Sequence, residues 1–240
     1  MNKTELKLNY SVCDQKGGIP VIVVAAGSST RMQGTNKQLF EIGGVPVIIR
    51  TLQKFENSSQ ISSIILVTRT EDLFQIQMLC EKYMITKLTD IVCGGDTRQD
   101  SVLKGFARLK ATDQKVLIHD GARPFVDDKT ICSVIDGLGK FSATACGVKV
   151  KDTIKQVSPD GLVEKTLNRE SLISIQTPQG VIVSEYLKAV QTADVSAFTD
   201  DASIMEAAGH KVLVVDGSYK NIKITTKEDL LLADSFLSEE

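Results

Sequence analysis

The chain is poor in histidine. Only His119 and His210 occur in 240 residues, which excludes a histidine-rich metal centre. Cysteine is sparse as well. Cys13, Cys80, Cys93, Cys132 and Cys146 are odd in number, scattered, and form no C-x-x-C pair. Most have apolar neighbours and read as reduced, structural thiols, pointing to a cytoplasmic protein. No apolar run is long enough for a membrane span, and the opening MNKTELKLNY is too polar for a signal peptide. A formal charge of −2 gives no case for a nucleic-acid or anionic-membrane partner. A chain of this length buries roughly 70–75% of its unfolded surface, so it needs neither disulfides nor a structural metal to fold.

What the chain does have is concentrated in residues 21–38, VIVVAAGSSTRMQGTNKQ. The β-branched opening reads as a strand buried on both faces. It breaks at Ala25-Ala26-Gly27 into a small, polar loop carrying Arg31 and Lys37. Small side chains let backbone N–H groups approach an anion, and the two cations supply counter-charge, so the loop suits a polyphosphate. It is neither G-x-x-x-x-G-K-[ST] nor G-x-G-x-x-G. On its own it could equally be a solvated connection.

The rest of the chain alternates. Residues 1–18 are polar and are expected to be a loosely held, flexible extension. β runs are predicted at 64–68, 89–93 and 115–119, and helices at 46–55, 71–84, 101–109 and 128–138. This alternation predicts an α/β, Rossmann-like, doubly wound and mostly parallel sheet over 19–240 as a single domain. Ligands in such sheets sit beyond the carboxyl ends of the strands. Those ends carry residues 25–37, 94–101 and 120–123, all rich in Gly, Ala, Asp and Arg.

The pattern changes after residue 143. A strand-like run over 143–150 is followed by two short polar strands around Ser158-Pro159-Asp160-Gly161, a protruding β-hairpin arm over about 150–168. Too short and polar to form a core, the arm is expected to reach a second subunit, with a local flap as the alternative. Gln176-Thr177-Pro178-Gln179-Gly180 reads as a turn. Helices are predicted at 184–192, 201–208 and 227–237. Thr199 or Asp200 can cap the second, and a capping box around residues 225–228 starts the third.

Six motifs now stand in order: Ala25-Ala26-Gly27-Ser28-Ser29-Thr30-Arg31-Met32 with Lys37-Gln38, then Gly94-Gly95-Asp96-Thr97-Arg98-Gln99-Asp100-Ser101-Val102, His119-Asp120-Gly121-Ala122-Arg123-Pro124, Asp152-Thr153, Thr199-Asp200-Asp201-Ala202-Ser203, and Asn221-Ile222-Lys223-Ile224-Thr225. The first resembles the signature of nucleotidyltransferases that activate sugar or polyol phosphates. Together the six resemble the 2-C-methyl-D-erythritol 4-phosphate cytidylyltransferases of the non-mevalonate isoprenoid pathway, from about residue 19 onward. The ribitol 5-phosphate cytidylyltransferases are the nearest alternative. Their first loop more often reads Leu-Ala-Gly-Gly, and they lack the run at 201–206. A non-catalytic nucleotide sensor is less compatible with cations on both sides of an α-phosphate.

The resemblance implies a nucleotide-diphospho-sugar transferase-like fold and a reaction between CTP and methylerythritol phosphate, with Mg²⁺ or another divalent cation. It implies catalytic roles for Arg31, Lys37 and Lys223. Ala25, Ala26, Gly27, Gly95, Asp96, Ser101 and Gly121 would line the nucleotide. Asp120, Arg123, Thr153, Arg169, Thr199 and Lys223 would hold the polyol phosphate, and Asp120 would also be the metal ligand. A homodimer joined through the arm is expected from the polar hairpin itself, in which case each site would be built from two chains. Bland alternatives stand beside some of these: a solvated strand lysine for Lys223, and capping roles for Asp96, Ser101 and Asp120. Gly121 replaces an alanine common in relatives and is expected to remove a methyl near the nucleotide.

Overall fold

The computed structural model describes residues 17–27, 37–192 and 198–237. Cys13, Arg31 and most of the N-terminal extension lie outside the described residues.

Strand β1 is Ile19–Val24, and the first loop returns through a short 3-10 turn at Lys37–Leu39. A two-stranded ribbon, β2 (Glu41–Ile42) and β3 (Val45–Pro46), leads into helix α1, Val47–Glu56. Pro46 occupies the N-cap of α1, where its missing N–H costs nothing. Next come β4 (Ile61–Thr68), α2 (Leu73–Lys82), β5 (Leu88–Cys93), α3 (Arg98–Phe106), β6 (Lys115–Asp120) and α4 (Asp128–Gly137). The second half runs β7 (Ala143–Lys149), β8 (Lys155–Val157), β9 (Val163–Thr166), β10 (Ile173–Ile182), α5 (Val183–Thr192), α6 (Asp201–Ala207), β11 (Val212–Asp216) and α7 (Lys227–Leu237).

Seven strands form the central sheet in the order β11-β7-β10-β6-β1-β4-β5. β1 sits between β4 and β6, parallel to both, and Val21, Ile22 and Val23 are fully buried. Burying such side chains stabilises by about 1.5–3 kcal/mol each, which is why a continuous apolar run belongs at the centre. One core lies under α1, α2 and α4, the other under α3, α5 and α6. A third, smaller cluster joins Ile42, Val47, Ala122, Phe125 and Ile224 to Ala233 of α7.

The register sets the ligand edge. Val24 pairs with Val67 on one side and Asp120 on the other, and Thr68 pairs with Cys93. The ends of β1, β5 and β6 are therefore level, and their loops open on one edge.

The segment read as a turn at 176–180 is instead part of β10. That strand runs antiparallel to both β6 and β7 and carries an irregularity between Ile175 and Gln179. Proline is tolerated inside a sheet at such an irregularity. The 221–225 segment forms no strand, although Ile224 N–H donates to Ala122 O (2.8 Å). The capping box of α7 is shifted by one residue: Thr226 and Asp229 exchange backbone and side-chain hydrogen bonds. The arm, β8 paired antiparallel with β9, is exposed at every strand position. All four described cysteines are free, and burial pushes the thiols of Cys80 and Cys146 up to about 12.

Candidate active site

The loop between β5 and α3 is fixed by its own hydrogen bonds. Thr97 caps α3: its hydroxyl accepts from Asp100 N–H (3.0 Å), while the Asp100 carboxylate accepts from Thr97 N–H (3.0 Å). Ser101 Oγ accepts from Gly95 N–H (3.0 Å) and donates to Thr97 O (3.0 Å). The capping expected of Asp96 or Ser101 thus falls to Thr97, and Ser101 pins the loop. A Cβ at Gly95 would stand 2.2 Å from Asp100 Cβ, so only glycine lets this loop lie so close to the helix start.

A cavity of about 450 Å³ opens here, lined by Ala26, Gly27, Lys37, Gly95, Asp96 and Ser101 among others. A second, of about 240 Å³, is lined by Arg123, Gln176, Thr177, Gln179, Thr199 and Asp200. Arg98, Asp120 and Lys223 line both. Ala25 and Gly121 are buried behind the first cavity. A methyl on Gly121 would meet Ala25 Cβ (2.9 Å) and Ile48 Cδ1 (3.0 Å). A methyl there would also lie 3.2 Å from Gln38 Oε1, and Gln38 lines the first cavity. Thr153 and Arg169 are exposed at the base of the arm and line neither cavity; Arg169 Nη1 donates to Lys151 O (2.9 Å).

Asp120 sits where the cavities meet. Its Oδ2 is 2.9 Å from Lys223 Nζ and 3.3 Å from Arg123 Nε, and its Oδ1 is 3.9 Å from Arg98 Nε. Burial alone would push the carboxyl up. Lys223, Arg98 and Arg123 overcome that and hold it well below the usual carboxylate range. Lys223 keeps 41% of its side chain exposed, so it faces the cavities from a fixed partner. Its loop is held by Arg123 Nη1 donating to Asn221 O (2.8 Å) and Asn221 Nδ2 donating to Thr177 O (2.8 Å). A solvated strand lysine would have neither feature.

The backbone of Asp120 is held by a buried relay. Its N–H donates to Thr177 Oγ1 (3.0 Å), which lies 3.1 Å from His119 Nδ1. His119 Nε2 lies 3.1 Å from Arg123 O, which can only accept. The ring proton therefore resides on Nε2, and Nδ1 accepts from the Thr177 hydroxyl. Burial lowers the His119 pKa to about 4, keeping the ring neutral.

Arg98 is a site residue to which the sequence assigned no role. It lay inside a recognised motif, yet nothing local set it apart from a helix-start arginine. Thr177 and Gln179 were hidden by the turn reading. Among the described residues, no three His, Cys, Asp or Glu side chains gather as a metal site, and no helix is long and apolar enough to cross a membrane.

A doubly wound sheet whose ligand edge carries a glycine-lined cavity beside a cation-lined one is the arrangement a nucleotidyltransferase needs. A family model described as 2-C-methyl-D-erythritol 4-phosphate cytidylyltransferase matches residues 19–239. The enzyme of that name from Clostridium novyi is 45% identical over 222 residues, covering 90% of this chain and 95% of that one. Its namesake from Bacillus cereus is 45% identical over 220 residues, covering 90% and 96%. The crystal structure of 4-diphosphocytidyl-2C-methyl-D-erythritol synthase from Anaerococcus prevotii superposes with a TM-score of 0.82 at 35% identity, covering 92% and 96%. The chain belongs to the 2-C-methyl-D-erythritol 4-phosphate cytidylyltransferase family.

Proposed function

We propose that the two cavities hold CTP and 2-C-methyl-D-erythritol 4-phosphate side by side. A phosphate oxygen of the polyol attacks the α-phosphorus of CTP in line and pyrophosphate departs, giving 4-diphosphocytidyl-2-C-methyl-D-erythritol. Asp120, fenced by Lys223, Arg123 and Arg98 where the cavities meet, is the observation that carries this reading. Phosphoryl transfer asks for positioning and for cations where charge develops. Lys37 enters from the nucleotide side and Lys223 from the junction. Arg31 is assigned beside Lys37 from the loop sequence. Backbone groups of Ala26, Gly27 and Gly95, with Asp96 and Ser101, suit a tight reading of cytosine. Arg123, Thr199 and Lys223 suit the polyol phosphate.

Mg²⁺ or another divalent cation fits as an ion that arrives with the triphosphate. Such ions keep most of their water and phosphate ligands and need only one or two protein carboxylates. Asp120 would supply that oxygen, and the ion would neutralise charge on the phosphates. Asp120 would otherwise take ribose or polyol hydroxyls.

We assign the arm to a homodimer. Val157, Leu162 and Val163 expose 53%, 70% and 60% of their surface, and Val157 pairs with Val163 across the hairpin, so the arm carries an apolar spot that a partner subunit could cover. Thr153 and Arg169 would then reach the partner's polyol phosphate. A cytoplasmic setting agrees with the free thiols.

Pyrophosphate release with CTP, comparing methylerythritol phosphate with ribitol phosphate, tests the reading. Release with the first alone is expected. Release with ribitol phosphate alone would move the chain to that activity, and silence with both would remove the catalytic reading.

A further inference from the structure

Arg98 is tied at both ends of its guanidinium. Nη2 donates to Asp201 Oδ2 (2.7 Å), and Nε faces Asp120 Oδ1 at 3.9 Å. Asp201 is fully buried, whereas 30% of the Arg98 side chain stays exposed. The anchor is therefore inside the protein and the tip is at the wall shared by the two cavities.

The anchor is itself held. Tyr186 Oη donates to Asp201 Oδ1 (2.5 Å) and accepts from Gln99 Nε2 (2.9 Å). The Tyr186 ring stacks on Phe106, with centroids 4.7 Å apart. Gln179 fixes the start of α6 by accepting from Ala202 N–H (2.8 Å) and donating to Asp200 (2.8 Å). A chain of packed and hydrogen-bonded groups thus runs from the core, through Tyr186 and Asp201, to a guanidinium at the junction.

An ion pair that only joined α3 to α6 would not need to line both cavities or face a second carboxylate. The hydrogen bond to Asp201 anchors Nη2, the longer ion pair with Asp120 draws the Nε edge toward the junction, and the remaining N–H groups form a flat fork suited to phosphate oxygens. Burial opposes its charge, but Asp201 and Asp120 more than offset that and keep it fully protonated.

We propose that Arg98 is a catalytic residue that grips the attacking phosphate at the junction, and that Asp201 and Tyr186 are the positioning residues that aim it. The inference rests on the cytidylyltransferase reading. Arg98 gives up no proton: a lone pair of the polyol phosphate oxygen forms the new bond to the α-phosphorus, and the electron pair of the broken bond between that phosphorus and the bridging oxygen leaves with pyrophosphate.

The test measures kcat and both KM values by pyrophosphate release, with thermal unfolding alongside, for Arg98→Ala, Arg98→Lys, Tyr186→Phe and the Arg98→Ala/Tyr186→Phe double variant. Arg98→Ala should lose about 10²-fold in kcat, as a removed transition-state donor does, with KM for CTP changed less than about threefold. Arg98→Lys should recover only part of that loss, because an ammonium cannot replace the fork. Tyr186→Phe keeps the stacked ring and should lose about three- to tenfold in kcat/KM for the polyol phosphate, a loss that vanishes in the Arg98→Ala background. Unchanged turnover in Arg98→Ala would overturn the catalytic assignment. A Tyr186→Phe loss that persists undiminished without Arg98 would overturn the positioning assignment. Silence of the unmodified enzyme would strike the cytidylyltransferase reading itself and take this inference with it.

Discussion

His119 should make the fold acid-sensitive in a window where few other groups act. The ring is fully buried, with Phe55 edge-on at 4.8 Å and Thr177 and the Arg123 carbonyl on its two nitrogens. Burial, aided by the charges of Arg123 and Lys223, outweighs the Arg123 carbonyl and Asp120 and lowers the pKa from 6.5 to about 4. Above pH 6.5 neither folded nor unfolded chain carries a proton there, and this contribution to stability is complete. As the pH falls, the unfolded chain takes up a proton that the folded chain refuses, so stability is lost until about pH 4, where the folded ring also titrates. At about 1.4 kcal/mol per pH unit, the loss between pH 6.5 and 5 is about 2 kcal/mol. Glu56, Asp100, Asp120 and Asp229 have lowered pKa values, so their contributions are lost below the ordinary carboxylate range, under this window. Urea unfolding at pH 7.5 and 5.0 should show the midpoint dropping by roughly 0.7–1 M, for a slope of about 2–3 kcal/mol/M. In His119→Gln the drop should nearly vanish, whatever that variant's absolute stability. A resonance assigned to His119 by its loss in His119→Gln that titrates near pH 6.5, or equal midpoint shifts in both proteins, would refute the reasoning.

Lys37→Ala and Lys223→Ala should each lower kcat by about 10²–10³, read by steady-state pyrophosphate release, with the fold intact by circular dichroism. Gly95→Ala forces a methyl to within 2.2 Å of Asp100 Cβ. Relieving that should shift the loop and raise KM for CTP by about tenfold or more, since overpacking costs roughly 1–3 kcal/mol. Thr97→Ala removes the α3 cap and should cost about 1 kcal/mol in urea unfolding, with Thr97→Ser close to neutral. If arms exchange, mixing Lys37→Ala with Arg169→Ala protomers should restore up to about a quarter of full activity, because half of the sites in mixed dimers regain both groups. No recovery after subunit exchange would place Arg169 in its own chain's site.

Legibility in the sequence followed the range of the forces involved. β1, β4 and β6 were readable because a strand buried on both faces needs an unbroken apolar run, and that demand is local. β10 was not, although it lies between β6 and β7. Its buried stretch carries Gln176, Thr177 and Gln179, whose polar atoms are satisfied by Ser218, Asp120, Asp200 and Ala202 from far along the chain. Those partners let polar residues sit in a central strand, and nothing near 176–180 announces them. The same residues cover the second cavity, so missing the strand meant missing that wall. Gly121 makes the same point: its motif says nothing of what a methyl there would meet, which is Ala25 and Ile48, brought in from elsewhere in the chain.

The roles of the cations were legible in kind but not in arrangement. Arg and Lys near strand ends announce an anion site. Which of them share a carboxylate depends on 3-D closure: Lys223 reaches Asp120 across about a hundred residues of chain, and Arg98 reaches Asp201 across a span of 103. Asp120 then has a double effect. It lowers the net charge of the junction, so the cations do not repel one another before substrate arrives, and it fixes Lys223 and Arg123 at stated distances. A pocket of bare cations would bind polyphosphate more tightly but hold ground state and transition state alike, which gains nothing for the chemical step. One buried carboxylate among three cations leaves a moderate, pre-aimed positive field, and that balance suits a site that must release pyrophosphate as readily as it binds CTP.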